Sequence, residues 1–375
     1  MSINAFSEHF ADLQDPRQTA KVAYSLFDIL FLTVCAVVGG AEGWQDIEDF
    51  GEAHLPWFQK RGLFPAGLPV DDTIARVISR LNPEQFQCSF INWMRAVSSL
   101  SNGAVIAIDG KVLRRSYNPE DRASTLHMVS AFASANGVVL GQVKTDAKSN
   151  EITAIPALLA LLDIRGCLIS IDAMGCQTAI AAHIVEKGGD YLLAVKGNQE
   201  RLSKAVRKAL SSVVPGMSDI ACVEQNRGRA EMREYHVIPA TEVAREFPIW
   251  KGLTTLGVAI GYRYDPQGKE SLEYRYYISS AELNKAQFAN AVRSHWCIEN
   301  QLHWVLDVTM KEDNCSIYRD NGAVNLATVR HMALNMLRLE SGKKASIRRK
   351  QKMAAMNSDY LEQVILAGIN GVDKK

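Results

Sequence analysis

The chain lacks the cysteine pattern of a disulfide framework or a zinc finger. Its seven cysteines are scattered, odd in number and without a CxxC pair. They lie at positions 35, 88, 167, 176, 222, 297 and 315. This usage is typical of a reducing compartment. The opening residues, MSINAFSEHFADLQDPRQ, also lack the charged and then apolar design of a secretion signal. We therefore expect a cytoplasmic protein.

Long hydrophobic runs are missing as well. The most apolar stretch, LFDILFLTVCAVVGGA at 26–41, contains Asp28. It stays short of the roughly 18 uninterrupted apolar residues that a membrane-spanning helix needs. Its paired glycines, at 39–40, are typical of a helix stop. The stretch predicts a buried core helix, and no membrane partner is expected.

The chain has no excess of charge of either sign. Lys and Arg number 42 and Asp and Glu 41, for a formal net charge of +1. Binding to a nucleic acid would therefore need local basic patches, because the net charge of the whole protein is too small to attract a polyanion. With 375 residues, 47% of them hydrophobic, the chain can bury a full core and hold more than one structural unit.

Apolar periodicity divides the chain into three parts. Residues 1–100 predict an all-helical N-terminal domain, a candidate for binding a DNA end. Residues 101–340 predict an α/β domain with a β-rich insertion at about 200–280. Residues 341–375 predict a basic helical C-terminal segment, which includes the run KKASIRRKQK at 343–352.

The α/β part predicts a mixed sheet flanked by helices. Its elements follow in the order strand, hairpin, helix, strand, helix, strand. Asn136 and Gly137 are the strongest local indication of the hairpin. Helical periodicity returns after the insertion, at 283–306 and again at 322–340.

Two short apolar strands, AVIAID at 104–109 and CLISID at 167–172, each end in an aspartate. A wholly apolar strand is buried on both faces, so we expect each aspartate at the carboxyl edge of the sheet. If the strands are neighbours, Asp109 and Asp172 repel one another unless a cation lies between them. A turn-capping role accounts for each aspartate alone, and for the pair both interpretations stay open.

Paired carboxylates without a nearby cysteine suit Mg²⁺ or Mn²⁺ better than zinc. A further acidic residue would complete a two-metal site of the kind that displaces phosphodiesters.

The stretch HWCIENQLHW, at 295–304, offers such a residue. His295, Glu299 and His303 are spaced four and four, so on a helix they project from nearly one side. Histidines eight residues apart are about 12 Å apart along a straight helix, which excludes one zinc ion bound by both. We expect Glu299 to be partly buried beside the apolar stripe of the helix. It would then need a histidine or a shared metal as its partner.

These motifs resemble those of the DDE transposases. AIDGK, ISIDAMGCQ and HWCIEN are similar to the three acidic motifs of that family, and the H-repeat-associated transposases linked to Rhs elements are the most similar group. The supporting motifs are VKTDAKSNEITAIPALL, LLAVKGNQ, RGRAEMR, LHWVLDVTMKED and NLATVRHMALNMLR. The resemblance spans essentially the whole chain and implies a catalytic domain with an RNase H-like fold and an inserted β-rich stretch.

The resemblance also implies the chemistry. Asp109, Asp172 and Glu299 would be the catalytic residues and would bind the metal, Mg²⁺ or Mn²⁺. The activity would be hydrolysis of a phosphodiester at a transposon end, followed by transfer of the freed 3′-hydroxyl to target DNA. The partners would be double-stranded DNA and a second copy of the chain, as a homodimer in a synaptic complex.

The chain departs from the family around the third acid. Many relatives carry Tyr, Arg and Lys at fixed distances from the glutamate. Here Val292, His295 and Leu306 occupy those positions, so the resemblance does not identify the groups that hold phosphate, although it still implies the glutamate.

Eleven residues are candidates for DNA contacts. They are Lys111, Arg114, Lys196, Asn198, Gln199, Arg227, Arg229, Arg233, His295, Trp296 and His303. Most of them could equally serve the fold alone. The first two could form a solvated basic edge, the next three a turn, and the arginines of the insertion cross-strand ion pairs, while the tryptophan could pack in the core.

Three functions remain in competition at this point. The first is a metal-dependent DNA transposase of an insertion sequence. The second is a non-enzymatic or domesticated DNA-binding protein, and the third is a metal-dependent DNA nuclease without strand transfer.

Overall fold

The N-terminal residues fold as helices. The computed structural model describes residues 3–18, 20, 22–98, 100–118, 120–121, 124–145, 151–213, 223–226, 229–264 and 270–371. In the N-terminal part the helices are α1 (Ile3–His9), α2 (Leu26–Gly39), α3 (Trp44–Gln59), α4 (Asp71–Arg80) and α5 (Pro83–Val97). This confirms the predicted helical N-terminal region.

Helix α2 is the centre of this helical region. It begins after Ser25, whose side chain accepts a hydrogen bond from the Asp28 N–H. It ends at Gly40, which has a φ of 98° and closes the helix in the left-handed conformation. Every residue from Ile29 to Val38 is buried, as expected for a core helix.

A mixed sheet follows the helices. Its first strands are β1 (Val105–Leu113), β2 (Leu126–Ala133), β3 (Val138–Lys144), β4 (Leu168–Ile171) and β5 (Asp190–Val195). Strands β1, β2 and β3 pair antiparallel, and β4 is parallel to both β1 and β5. Helices α6 (Glu151–Leu161) and α7 (Thr178–Glu186) make the crossovers to the parallel strands. The predicted RNase H-like mixed sheet flanked by helices is confirmed.

The insertion extends the same sheet. Its strands are β6 (Val223–Asn226), β7 (Arg229–Pro239), β8 (Thr255–Tyr264) and β9 (Glu270–Ser279), and its helices are α8 (Glu200–Leu210) and α9 (Thr241–Glu246). Strand β9 pairs antiparallel with β5, so the described residues form a nine-stranded sheet in the order β3-β2-β1-β4-β5-β9-β8-β7-β6.

The last part of the chain returns to helices. They are α10 (Lys285–Cys297), a π-helical turn (Ile298–His303), α11 (Trp304–Val308), α12 (Gly322–Leu339), α13 (Ile347–Met356) and α14 (Ser358–Asn370).

Helix α12 connects the N-terminal helices to the sheet. Asn325 donates hydrogen bonds to the carbonyls of Ile78 and Leu81 among the N-terminal helices, and Asn335 accepts one from the Val139 N–H of β3. The division of the chain at residues 100 and 340 stays a prediction. The helices on either side of it pack into one hydrophobic core.

One sequence-based expectation about β1 is wrong. We expected this strand to end at Asp109, but it continues to Leu113 because its antiparallel partner β2 keeps pairing as far as Leu126. The parallel neighbour β4 stops at Ile171. Asp109 is therefore inside a strand, at the point where the parallel part of the sheet ends.

Among the described residues, no single helix is long and apolar enough to cross a membrane. Helices α2 and α3 meet that criterion only as a pair, with a bend of 96° between them.

Candidate active site

Asp109 and Asp172 lie next to each other on neighbouring parallel strands. Ile108 of β1 is in register with Ile171 of β4; Asp109 follows Ile108 within β1, and Asp172 follows Ile171 just past the end of β4. Residues in register on parallel strands point to the same face, and such strands are about 4.8 Å apart. The structure therefore brings the two predicted aspartates together at the carboxyl edge of the parallel strands.

Other carboxylates lie around Asp109. Burial raises its pKa from 3.8 to about 7, and the charges of Asp172, Glu151 and Glu299 add to the rise. A hydrogen bond from the Gly110 N–H to Oδ1, at 2.9 Å, opposes it. With a pKa of about 7, Asp109 is protonated in a substantial fraction of the molecules near neutral pH.

The loop after β4 holds the Asp172 carboxylate in place. The backbone N–H groups of Met174 and Gly175 both donate to its Oδ1, at 2.9 and 3.2 Å. Two predicted DNA-contact residues form hydrogen bonds with the backbone of the same loop. The Asn198 amide donates to the Ala173 carbonyl at 2.6 Å, and the Gln199 amide donates to the Cys176 carbonyl at 2.9 Å.

Glu299 lies in the π-helical turn between α10 and α11. The N–H of Trp304 bonds to the carbonyl of Glu299, the i to i+5 pattern that often marks functional sites. Ile298 and Leu302 are buried whereas the Glu299 side chain is exposed. The predicted partial burial of Glu299 is wrong, because the π-helical turn changes the angular positions of residues along the helix.

The two histidines of this helix pack close to the aspartates. His303 Nδ1 is 3.6 Å from Asp109 Oδ2, too far for a hydrogen bond. The His295 ring shares a hydrogen bond with the Ser170 backbone of β4. Burial lowers the pKa of both rings, and burial together with the Lys111 charge lowers that of His303 to about 4. Both rings are therefore largely neutral at pH 7.

Lys111 connects the Asp109 strand to the segment that follows Glu299. Its Nζ forms ion pairs with Asp307 of α11 and with Glu312. The Lys111 side chain is 10% exposed and that of Glu312 2%. Burial alone would raise the pKa of Glu312, but the charges of Lys111, Arg330 and His331 together outweigh burial and hold it below its usual range. The predicted DNA contact of Lys111 stays a prediction, since the structure shows two protein partners for this ammonium.

Three other predicted DNA contacts lie in described regions near the site. Arg114 is 77% exposed, and its Nε is 3.3 Å from an Asp313 carboxylate oxygen. Lys196 is exposed just after β5. Trp296 is half-buried, with the guanidinium of Arg275 4.2 Å above its ring.

The arginines of the insertion are described only in part. Arg227 lies outside the described residues, and only the backbone of Arg229 is described. The side chain of Arg233 forms an ion pair with Glu231 on the same strand, at 2.8 Å. Glu231 also lies 3.6 Å from Arg263 on β8. Arg233 is therefore part of an ion pair in this structure, and its contact with DNA remains a prediction.

Sequence reasoning missed Glu151 as a charged neighbour of the two aspartates. It starts α6, and its charge raises the pKa of Asp109. Burial and then the charge of Asp172 raise the pKa of Glu151 itself. The only feature of the sequence that could have pointed to Glu151 was its position at the start of an apolar helix. Acidic residues are common at helix starts for structural reasons alone, so this position did not indicate a site.

The side chains present fit a divalent metal ion with oxygen ligands. Asp109, Asp172 and Glu299 supply hard carboxylate oxygens, and a cation between them would relieve the repulsion that raises the pKa of Asp109. Among the described residues, no three His, Cys, Asp or Glu side chains form a group that could by itself hold a metal ion. Mg²⁺ needs only one or two carboxylates from the protein, because water and substrate phosphates supply its remaining ligands.

We expect Asp109→Asn to be more stable than the wild type at about pH 8 in metal-free buffer. The folded pKa of about 7 exceeds the ordinary value of 3.8, so between these values the folded protein binds the extra proton. Wild-type stability therefore decreases as the pH rises through this window, by up to about 4 kcal/mol. Urea unfolding at about pH 5 and about pH 8 measures this difference.

The exposed Asp49 of α3 provides the control for that experiment. Asp49→Asn should leave the pH dependence of stability as it is in the wild type. If Asp109→Asn also left it unchanged, the acidic surroundings that we describe for Asp109 would be wrong.

The fold is the one expected of a DDE transposase, and comparison with known families identifies that class. Residues 101–336 match the family described as Transposase DDE domain. Residues 7–94 match the family described as DDE_Tnp_1-associated. The chain belongs to the DDE transposase family.

Its relatives are H-repeat-associated transposases, as predicted. The chain is 49% identical over 374 residues to the H repeat-associated putative transposase YhhI of Escherichia coli (strain K12), covering 97% of this chain and 98% of that one. It is 50% identical over 243 residues to the H repeat-associated putative transposase YbfD of the same strain, covering 64% and 95%. A cryo-EM structure of a piggyBac transposase synaptic complex with hairpin DNA is a distant likeness, with a TM-score of 0.42 and 11% identity over 96% of this chain and 77% of that one.

Proposed function

We propose that this chain is the transposase of an insertion-sequence-like element and that it works in the cytoplasm on double-stranded DNA. It would cut the DNA at the element's ends and join the freed 3′-hydroxyl to a target. The observation that carries the proposal is the placement of Asp109 and Asp172 side by side at the end of parallel strands, with the charge of Glu299 close enough to raise the pKa of Asp109. The family membership supports it, since the relatives are named transposases.

Asp109, Asp172 and Glu299 would hold Mg²⁺ or Mn²⁺, which when bound activates the attacking oxygen and stabilises the leaving oxygen in phosphodiester displacement. The protein's contribution is to position these carboxylates and the DNA. The Met174 and Gly175 N–H groups orient the Asp172 carboxylate, and Asn198 and Gln199 fasten its loop. No side chain is needed as a covalent nucleophile.

The DNA would be held by its phosphates at the same edge of the sheet. Arg114 and Lys196 are exposed there and would supply the charge that phosphate binding requires. The neutral rings of His295 and His303 would act as hydrogen-bond donors. Trp296 would stack on an unpaired base, while Arg227, Arg229 and Arg233 of the insertion would follow the backbone. Because two ends must be paired for joining, we propose a homodimer as the active assembly.

A supercoiled plasmid that carries the inverted repeats flanking the coding sequence tests the activity. With Mg²⁺, the wild type should nick at the repeats and yield joined products, while Asp172→Ala should do neither. Nicking without joined products would favour the nuclease. No nicking by the wild type would favour a non-enzymatic DNA-binding protein, and full nicking by Asp172→Ala would refute the proposed triad.

A further inference from the structure

The π-helical turn that carries Glu299 interrupts the helix between α10 and α11, and the spacing of the backbone hydrogen bonds changes there. The Ile298 N–H bonds to the carbonyl of His295, three residues back. The Trp304 N–H bonds to the carbonyl of Glu299, five residues back. Such a change of spacing leaves backbone carbonyls without their regular partners in the helix, so other groups must satisfy them.

Two side chains from outside this helix donate to carbonyls on either side of Glu299. Ser134, just after β2, donates its hydroxyl to the Ser294 carbonyl at 2.8 Å. Arg338, in the last turn of α12, donates from Nη2 to the Gln301 carbonyl. The segment that carries Glu299 is therefore held at both ends by side-chain donors as well as by its own backbone hydrogen bonds.

Arg338 also connects the π-helical turn to the sheet. Its Nη1 donates to the Gly137 carbonyl at 2.5 Å, in the hairpin between β2 and β3. Its guanidinium carbon lies 5.3 Å from the centre of the Phe132 ring on β2. A Cβ atom placed on Gly137 would lie 3.9 Å from Arg338 Cδ and 3.9 Å from Gln301 Oε1, so the hairpin, the arginine and the turn meet at one place. The planar guanidinium suits such a place, because it directs donors to two fixed acceptors at once.

The partners of Arg338 are backbone carbonyls and an aromatic ring rather than acids. Among the residues that the structure describes, Arg338 forms no ion pair, and burial accounts for its pKa, which is lowered to about 10. The guanidinium therefore stays charged at neutral pH. An arginine that serves to balance charge is paired with a carboxylate, as Arg61 is with Glu362. Arg338 instead fixes the positions of two backbone segments.

A simpler role for Arg338 would be to stabilise the β2–β3 hairpin alone. That hairpin already has its own stabilisation, because Asn136 and Gly137 favour the turn and the Gly137 N–H donates to the Ala133 carbonyl at 2.9 Å. The π-helical turn, in contrast, has a rare and irregular hydrogen-bond pattern. It is the segment that gains more from an external donor.

We propose that Arg338 is a positioning residue for Glu299 and that it holds the π-helical turn in the geometry that directs this carboxylate to the proposed metal centre. The inference rests on the proposed function and deepens it. In this role Arg338 acts through the Gln301 carbonyl, two residues after Glu299. Without the arginine the turn would relax towards regular helical spacing and rotate Glu299 away from the aspartates. A misplacement of about 1 Å can lower the rate of a reaction by about 100-fold.

Hydrogen exchange of the full-length protein, followed by mass spectrometry, tests the contact without DNA. Arg338→Met removes the donors and keeps most of the side-chain volume, so exchange should become faster at 298–304 while α2 keeps its protection. Arg338→Lys, which keeps the charge and loses the planar fork, should show a smaller increase and serves as the test if the methionine variant does not fold. Unchanged exchange at 298–304 in the folded Arg338→Met protein would overturn the proposal.

Single-turnover cleavage of end DNA tests the positioning itself. Arg338→Met should lower the rate constant at saturating DNA by about 10- to 100-fold and leave the Kd for end DNA unchanged, and Arg338→Lys should recover part of the rate. The control is Arg95→Met, because the Arg95 guanidinium also donates to a backbone carbonyl, that of Leu161 at 2.9 Å. This control should cleave at the wild-type rate.

The outcomes separate this inference from the proposed function. Cleavage by Arg338→Met at the wild-type rate would overturn the positioning role and leave the proposed function standing. A weakened Kd with an unchanged rate at saturating DNA would also overturn it and would assign Arg338 to the DNA interface. Absence of cleavage by the wild type would refute the proposed function and this inference with it.

Discussion

Replacing Glu299 by glutamine should reduce DNA strand cleavage on the order of 10³-fold while leaving the fold and DNA binding unchanged. The substitution removes one charge of the proposed metal centre and keeps the size of the side chain. Stabilisation of transition-state charge by a bound metal amounts to several kcal/mol, which corresponds to a rate change of this order. The Glu299 side chain is exposed, and Ile298 and Leu302 anchor the same helical turn in the core. The variant should therefore fold normally. Single-turnover cleavage of end DNA and a mobility-shift assay measure the two effects.

The matched control is Glu282→Gln, the same chemical change at an exposed residue before α10. It should cleave at the wild-type rate. Cleavage by Glu299→Gln within about tenfold of the wild type would show that Glu299 is not part of the metal centre. Loss of DNA binding along with cleavage would instead assign Glu299 to the DNA interface.

Replacing Lys111 by methionine should destabilise the protein by about 3–5 kcal/mol, the usual cost of removing one partner of a buried ion pair. Lys111 is the cation between Asp307 and Glu312, and the Glu312 side chain is almost inaccessible to solvent. Its loss leaves a buried carboxylate that must either stay charged without a partner or take up a proton. Urea unfolding of the full-length protein measures the loss.

The pH dependence provides a second measurement on Lys111→Met. The lowered pKa of Glu312 contributes stability that is present above its ordinary value of 4.5 and is lost as the pH falls through the folded value. In the variant, burial acts on Glu312 without Lys111 to oppose it and should raise its pKa above 4.5. Proton uptake by Glu312 would then stabilise the variant as the pH falls, so the gap in stability to the wild type should narrow from about pH 8 to about pH 5. Adding Glu312→Gln to the variant should recover part of the loss at neutral pH.

Lys204→Met is the control, because Lys204 and Glu200 form an exposed pair one helical turn apart, with side chains 74% and 71% exposed. It should change stability by no more than about 0.5 kcal/mol. If Lys111→Met were as stable as this control and lost only DNA binding, Lys111 would act as a DNA contact, as its position after Asp109 first indicated.

Local patterns predicted much of this fold. The hairpin at Asn136 and Gly137 connects β2 and β3, because that dipeptide readily adopts the required turn. The buried helix α2 ends at its paired glycines, because glycine readily adopts the left-handed conformation that closes a helix. β4 stops directly before Asp172, as the apolar run predicted.

The sequence by itself therefore determined the order of the elements, the helical N-terminal region, the mixed sheet and the candidate acids Asp109, Asp172 and Glu299. Propensities, caps and turns act over a few residues, so they can be read from short stretches of the chain.

Only the tertiary structure decided how these acids are surrounded. Strand β1 runs past Asp109 because β2 pairs with it, and the partners of Lys111 come from residues about two hundred positions away. The contact of Arg338 with the Gln301 carbonyl likewise joins the end of a helix to a turn with which it shares no local pattern. Burial and charge at a site depend on which distant residues the fold brings together, and no short stretch of sequence contains that information.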